Sequence, residues 1–368
     1  MKPYQPDVLP LIGLDYKRLL PLVGAANGEL ARYDGLLQGI PNPSIMLSPL
    51  TNEESVLSSR IEGTQVTVDE VLEQEAGIIK EGEKAKDIQE VINYRKALLA
   101  SSTYLVDRPI TLFFVRELHK ILLGGVRGED KSPGEFRTEQ NWIGKYGCTL
   151  EQASFVPPNP LQLMDHLEAW QRYMESDDLD PVLQTAIVHA QFELIHPFKD
   201  GNGRIGRLLI PLFLYNKRRL SHPMFYLSSY LEMNREEYYA CLQNISKEGD
   251  WDGWIAFFLN AVAEQARSNN EKVKRIMALY ETMKERLHDI TRSQYIVHIL
   301  DAIFDRPIFV TTDFVDRSGI HKPTAMRFLK QLKDAGVLLE LRPGRGRQAA
   351  ILCFSELLNI AEGKKVFE

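Results

Sequence analysis

Apolar positions recur every three to four residues over long stretches of this chain, the spacing of a buried helix face. Two such stretches fill 86–125: "KDIQEVINYRKALLASSTYL" and "TLFFVRELHKILLGG", the second ended by Gly124-Gly125. The same spacing returns at 161–174, 181–195, 203–219 and 234–247, and in a long run near 251–286. Upstream, a helix is predicted from Thr51 as N-cap to a stop at Gly63, with Glu53 and Glu54 in its first turn. Residues 1 to about 50 are rich in Pro, Gly and Leu and read as an irregular arm, with a short helix near "NGELARYDGLLQ".

Between 126 and 160 the pattern changes to turn residues and short β-prone runs, which reads as a hairpin or long loop. From 290 to about 355 a separate unit follows. Its pattern is helix (293–304), strand (308–311), helix (312–318), a turn at Ser318-Gly319, helix (321–335), then "VLLELRPGRGRQAAILCF" as a hairpin turning at Pro343-Gly344. That order looks like a winged helix-turn-helix. The expected organisation is an N-terminal arm (1–85) carrying the 51–63 helix, a helical core (86–286) and a winged-helix-like domain (290–368).

Composition narrows the class. The chain has 368 residues, 44% hydrophobic and 26% charged, ordinary for a soluble globular protein with a sizeable core. Three widely spaced cysteines argue against a disulfide framework and for a reducing, cytoplasmic setting. The first twenty residues place prolines and charges where a signal peptide needs an apolar core, and no apolar run reaches membrane-spanning length. The net charge of -6 gives no whole-chain sign of nucleic-acid binding, yet 290–350 carries ten Lys/Arg against six Asp/Glu, a net of +4.

One polar stretch, "HPFKDGNGRIGR" at 196–207, interrupts two strongly apolar helices. Gly201 and Gly203 permit backbone angles closed to other residues, where the next helix should begin. Outward-facing N–H groups and the helix dipole there make an anion site. Arg204 and Arg207 are three apart and share a face. Asp200 is a hard oxygen ligand suited to Mg²⁺, and His196 can take a proton near neutral pH. Together they point to attack on a nucleotide phosphate. There is no Walker A loop and no HExxH motif.

Every fixed position of the stretch matches the signature of the Fic family, HPF-x-[DE]-G-N-G-R-x-x-R, and the resemblance covers most of 50–260. It implies a mainly α fold: a Fic-type helical bundle with a small β-hairpin flap, here followed by the winged helix-turn-helix. It implies AMP transfer from ATP to a Ser, Thr or Tyr hydroxyl of a target protein. His196 would deprotonate that hydroxyl, and Asp200 would hold Mg²⁺ between the α- and β-phosphates. The run Gly201, Asn202, Gly203, Arg204, Ile205, Gly206 and Arg207 would bind the phosphates, with the 201–203 backbone and Asn202 as cradle. Arg204 would take the β-phosphate side and Arg207 the γ-phosphate. Phe198 would anchor the loop in the core.

A second stretch, "SSRIEG", matters beside it. Glu62 lies in the last turn of a predicted helix, where a carboxylate opposes the dipole, which invites a tertiary partner such as an arginine. Ser58, Glu62 and Gly63 resemble the family's inhibitory motif, [ST]-x-x-x-E-[GN]. The resemblance implies that Glu62 competes for Arg207 and turns the α-phosphate of ATP away from in-line attack. In some relatives this glutamate also supports removal of AMP.

"GEFRTEQNWIG" with "ASFVPPNP" resembles the family's flap, whose edge can pair with an extended target segment. Trp142 and Ile143 read as packing residues. In "NREEYYACL", Tyr239, with Tyr238 second, is the candidate for stacking on adenine. His189 reads as a core or capping histidine, and His166 and His222 have no ligand-spaced partner. In the C-terminal unit Lys322, Arg327, Arg345 and Arg347 are candidate DNA phosphate contacts. Homodimerisation, and the chain itself as a target, are further expectations. Two other readings compete: a DNA-binding regulator with a nucleotide-sensing core, and transfer of another phosphate-linked group.

Overall fold

The computed structural model describes every residue except Met1, Asp107, Arg127, Glu129, Lys145, Tyr146, Leu179, Arg347, Phe367 and Glu368. The wing contact expected at Arg347 therefore lies outside the described residues. Among those described, the first helices are α1 (Tyr16–Gln38), α2 (Pro43–Met46), α3 (Ser48–Ile61), α4 (Val68–Glu75), α5 (Glu83–Tyr104) and α6 (Leu112–Leu122). They are followed by α7 (Leu163–Glu175), α8 (Pro181–Ile195), α9 (Asn202–Asn216), α10 (Ser228–Met233), α11 (Arg235–Glu248) and α12 (Trp251–Thr291). The remainder are α13 (Ile296–Asp305), α14 (Thr311–Ser318), α15 (Lys322–Asp334) and α16 (Ser355–Glu362). The strands are β1 (Ile308–Val310), β2 (Leu339–Arg342) and β3 (Ile351–Cys353). None of these helices is long and apolar enough to cross a membrane.

The chain divides into two compact units. The first comprises residues 1–35, 57–64 and 89–267. At its centre is α8, buried on nearly every side and packed against α7, α9 and α11. Its start is fixed by Asp180, whose Oδ1 accepts the N–H groups of Val182 (2.9 Å) and Leu183 (3.1 Å), with Pro181 at the first helical position. Such a helix, apolar all round, is stable only as the core of a bundle.

The N-terminal arm is helical, contrary to the irregular segment expected. α1 spans 23 residues with Pro21 inside it. Leu19, Ala26, Leu30, Tyr33 and Leu37 are buried along one face at helical spacing. Burial of that stripe overrides the local cost of the proline and of three glycines.

The 137–155 region holds less β structure than expected. Among its described residues the only pairing is an isolated antiparallel bridge between Ile143 and Phe155.

The second unit comprises 36–56, 65–88 and 268–368. Its antiparallel sheet has the order β1-β3-β2, with Ile308 opposite Cys353 and a register irregularity between Glu340 and Arg342. α4 packs on β1, and α13 on α2 and α14. Between α14 and α15 the chain turns at Gly319, at φ 65. A bridge from Arg345 to Gln348 closes the tip of the β2–β3 connection, beyond the expected turn at Pro343-Gly344.

Candidate active site

α8 ends at His196, which adopts left-handed backbone angles, φ 49 and ψ 62. For a residue with a side chain this costs on the order of 1–2 kcal/mol. The neighbour that holds it is Arg137. Its Nε–H donates to the His196 carbonyl (2.9 Å), its Nη2 to the Pro158 carbonyl (2.7 Å), and its backbone N–H to the Pro197 carbonyl (2.9 Å). Arg137 is buried, and burial pulls its pKa down to about 10, so it stays charged at neutral pH. A cation at the carboxyl end of α8 also suits the helix dipole.

His196 Nδ1 lies 3.2 Å from the Glu193 carbonyl. A carbonyl only accepts, so Nδ1 carries the hydrogen and Nε2 is left with the free lone pair. Burial pulls the imidazole's pKa down to about 4, keeping it neutral and basic at physiological pH.

The loop that follows is braced from within. The Phe198 N–H donates to Asn202 Oδ1 (2.8 Å), and Asn202 Nδ2 donates back to the Phe198 carbonyl (2.8 Å). Both ends of this amide are therefore used inside the loop rather than offered to a ligand. Gly201, at φ 76, leads into α9, whose first N–H groups have no intrahelical partner.

His119 of α6 braces the same loop from outside. Its ring stacks on Phe198 with centroids 3.7 Å apart. Nδ1 accepts the Gly134 N–H (2.9 Å), so Nε2 bears the hydrogen and donates to the Asp200 carbonyl (3.0 Å). Burial pulls this histidine's pKa down to about 4 as well.

Asp200 Oδ1 accepts the Gly201 N–H (2.6 Å) and lies 3.5 Å from Arg204 Nη2. Arg204 Nη1 pairs with Glu90 Oε2 at 2.9 Å, both side chains almost fully buried. Arg207 makes three hydrogen bonds: Nε–H to Ser58 Oγ (2.9 Å), Nη2 to the Ser58 carbonyl (2.9 Å), and Nη2 to Glu62 Oε1 (2.7 Å). Arg207 is buried, whereas the Glu62 side chain, just past the end of α3, keeps 35% of its surface open. Burial opposes ionisation of Glu62, but the Arg207 guanidinium outweighs it and holds the carboxyl below the usual carboxylate range.

Some of these groups border a cavity of about 820 Å³ within the first unit. Glu62, Glu193, His196, Gly203 and Arg207 line one part of it; Tyr238 and Tyr239 of α11 line another. Trp142 and Ile143 line it too, 43% and 40% exposed, and so are not the packing residues expected. Of the two tyrosines, Tyr238 is buried with its hydroxyl 2.9 Å from His189 Nε2, and Tyr239 is 41% exposed. His189 Nδ1–H donates to the Gly206 carbonyl (3.0 Å), a core role.

Several expected phosphate-binding residues do not line the cavity. Gly201, Asn202 and Arg204 are not among its lining residues, and neither is the expected metal ligand Asp200; Ile205 is wholly buried, and Gly206 packs against Glu193. No cluster of three or more potential ligands that could hold a metal exists among the described residues. Four residues were not singled out from the sequence: Glu90, His119, Arg137 and Glu193. Glu90, His119 and Arg137 act through contacts distant along the chain, which no local pattern signals.

Residues 20–102 match the Fic/DOC family N-terminal model, and residues 109–214 match the Fic/DOC family model. The chain belongs to the Fic/DOC family. The Fic/DOC match contains α6 through most of α9 and the whole 196–207 loop, and the N-terminal match contains Ser58 and Glu62. A relative named protein adenylyltransferase Fic from Drosophila grimshawi is 31% identical over 261 residues, 68% of this chain and 47% of that protein. Its namesake from Aedes aegypti is 31% identical over 182 residues, 48% of this chain and 33% of that protein. The chain thus spans half or less of the length of these curated relatives. Among solved structures, a Fic family protein from Desulfovibrio desulfuricans G20 aligns with TM-score 0.58 and 21% identity, covering 95% of this chain and 98% of its own. A Fic domain containing signaling protein from Bacteroides thetaiotaomicron aligns with TM-score 0.56 and 20% identity, covering 68% and 97%. At these identities the two structures speak for the shared helical fold.

Proposed function

We propose that this Fic/DOC protein is an adenylyltransferase: it moves AMP from ATP to a Ser, Thr or Tyr hydroxyl of a protein, and Glu62 restrains it. The observation that carries this reading is one cavity bordered by a neutral histidine, a buried arginine and a carboxylate already seated on that arginine.

His196 Nε2 takes the proton of the target hydroxyl as its oxygen bonds to the α-phosphorus, and pyrophosphate leaves. Gly203 and the first N–H groups of α9 receive phosphate oxygens, and Arg207 receives the γ-phosphate. Asp200 is the candidate Mg²⁺ ligand. One carboxylate suits this ion, which completes its shell with substrate phosphates and water; bound there it would offset phosphate charge. Arg204, held by Glu90, orients Asp200 more than it meets nucleotide. Tyr239 offers a face for the base.

While Glu62 occupies Arg207, the γ-phosphate loses its anchor and the α-phosphate is misaligned for attack. Transfer of label from α-labelled and γ-labelled ATP to a cell lysate tests this reading. Glu62→Gly should raise α-label transfer and His196→Ala should abolish it. Equal labelling by wild type and Glu62→Gly sinks the restraint, and γ-label on the target would mean that another group is moved.

A second reading concerns α15, whose apolar face is buried through Ala325, Phe328, Leu329 and Leu332 while Lys322, Arg327 and Lys330 are exposed. Among the described residues these three form no ion pair, whereas Lys333 pairs with Glu340 at 3.0 Å. With α14 and the β2–β3 hairpin this supports a winged helix that meets duplex DNA. A salt-dependent gel shift of the full chain, lost in the triple alanine variant of those residues, is the outcome this reading requires.

A further inference from the structure

Glu193 has no part in the reaction described above, yet it borders the same cavity. It lies one turn before His196 on α8, and its backbone carbonyl fixes the His196 tautomer. Its carboxyl makes no hydrogen bond or ion pair among the described residues, and Oε1 is fully buried without a partner. That oxygen occupies the space a side chain at 206 would need, immediately beside Arg207. An unpartnered buried carboxyl oxygen is destabilising, and a structural role does not explain it.

Several charges face this carboxyl. Arg207 of α9 favours its ionisation, and Glu62 past α3 opposes it. Tyr238 and Tyr239 of α11 are close enough to feel its charge, as is Arg207, and all three tyrosine and arginine side chains border the same cavity. His196 on its own helix is neutral. Burial dominates and pushes the Glu193 carboxyl up to about 8.

We infer that Glu193 is a nucleotide-contacting residue that works in its neutral form, its carboxyl O–H donating to a phosphate oxygen of the nucleotide beside Arg207. This rests on the reading that the cavity holds ATP. An ionised carboxylate at this place would repel the phosphates, whereas a neutral acid supplies a donor without adding a cation. Gly206 is then required to be glycine, because any side chain would displace the acid.

Calorimetric titration of the full chain with Mg²⁺ and ATP, in two buffers of different protonation enthalpy, tests this. ATP affinity should fall about tenfold or more above about pH 8, with a proton taken up on binding there. In the Glu62→Gly background the fall should begin at lower pH, because a repelling charge is gone. Glu193→Gln keeps a donor and cannot ionise, so it should bind ATP at neutral pH as wild type does and lose both the alkaline fall and the proton uptake. Glu193→Ala should bind about tenfold more weakly at neutral pH. An alkaline fall that survives in Glu193→Gln overturns the inference, as does a neutral-pH loss in Glu193→Gln equal to that in Glu193→Ala. If the alanine variant does not fold, the glutamine variant alone decides. The readout is binding: a chain that binds ATP in this way but transfers no AMP overturns the proposed reaction and leaves the Glu193 contact standing.

Discussion

Ser58 holds Arg207 twice, accepting from Nε through its hydroxyl oxygen and from Nη2 through its carbonyl, both at 2.9 Å. With Glu62 at 2.7 Å, the side-chain hydrogen bonds of Arg207 among the described residues all run to the five residues from Ser58 to Glu62, at the end of α3 and just past it. The hydroxyl is therefore part of the clasp, and Ser58→Ala is expected to raise basal AMP transfer by about threefold to tenfold, less than Glu62→Gly does. That range corresponds to about 0.6–1.4 kcal/mol, the net worth of one typical hydrogen bond, since the Ser58 carbonyl still holds Arg207. Initial rates with α-labelled ATP would check the ranking.

The pH profile of Glu62→Gly should show no acid limb near the ordinary histidine value. His196 is pulled down to about 4, so it is deprotonated throughout the neutral range and protonates only as the pH approaches 4. Label transfer at saturating ATP should stay level from about pH 7 down to about pH 5.5. A fall centred near pH 6.5 would contradict the buried, neutral base.

Stability should depend on the same chemistry at two other histidines. His119 and His189 are fully buried, with pKa values lowered to about 4 and about 3. The unfolded chain binds protons at both below about pH 6.5, while the folded chain does not until much lower pH. Stability is therefore lost as pH falls from 6.5, by about 2 kcal/mol for the pair between pH 6.5 and 5.5. Denaturant melts should show this slope, and His119→Gln should remove about half of it.

Arg137→Ala should destabilise the protein by about 3 kcal/mol, because it strands the carbonyls of Pro158 and His196 and frees the strained His196 backbone. Arg137→Lys is not expected to restore the loss, since one ammonium cannot reproduce the directions of Nε and Nη2. Thermal melts of the two variants would settle the order.

The helices most legible in the sequence were those whose apolar spacing is uninterrupted, such as α6, α8 and α9. α1 was hidden by Pro21 and by Gly24, Gly28 and Gly35, although its buried stripe from Leu19 to Leu37 is periodic. α3 begins at Ser48 rather than after Thr51, because Ser48-Pro49 opens the helix and Thr51 is buried inside it. At the site, charges with a local signature could be read: Asp200 beside glycines, Arg207 on a helix face, Glu62 against a dipole. Those matched only in three dimensions could not. Glu90 looks like any helix glutamate until Arg204 lies across it, and Arg137 sits in a polar run that says nothing of the carbonyls it holds. The loop-bracing role of Asn202 was equally hidden, since its amide bonds to the Phe198 backbone a few residues away.

Arg207 has a kinetic consequence of its own. A guanidinium this deeply buried cannot stand bare, because stripping its partners costs about 3–5 kcal/mol. Glu193, bearing its proton, is no substitute anion. On the function proposed above, the end of α3 is therefore expected not to depart first and leave a waiting site, but to be exchanged for an incoming phosphate in one concerted handover. Activation would then follow nucleotide concentration, as a ligand displacement does, rather than the rate at which an empty door swings.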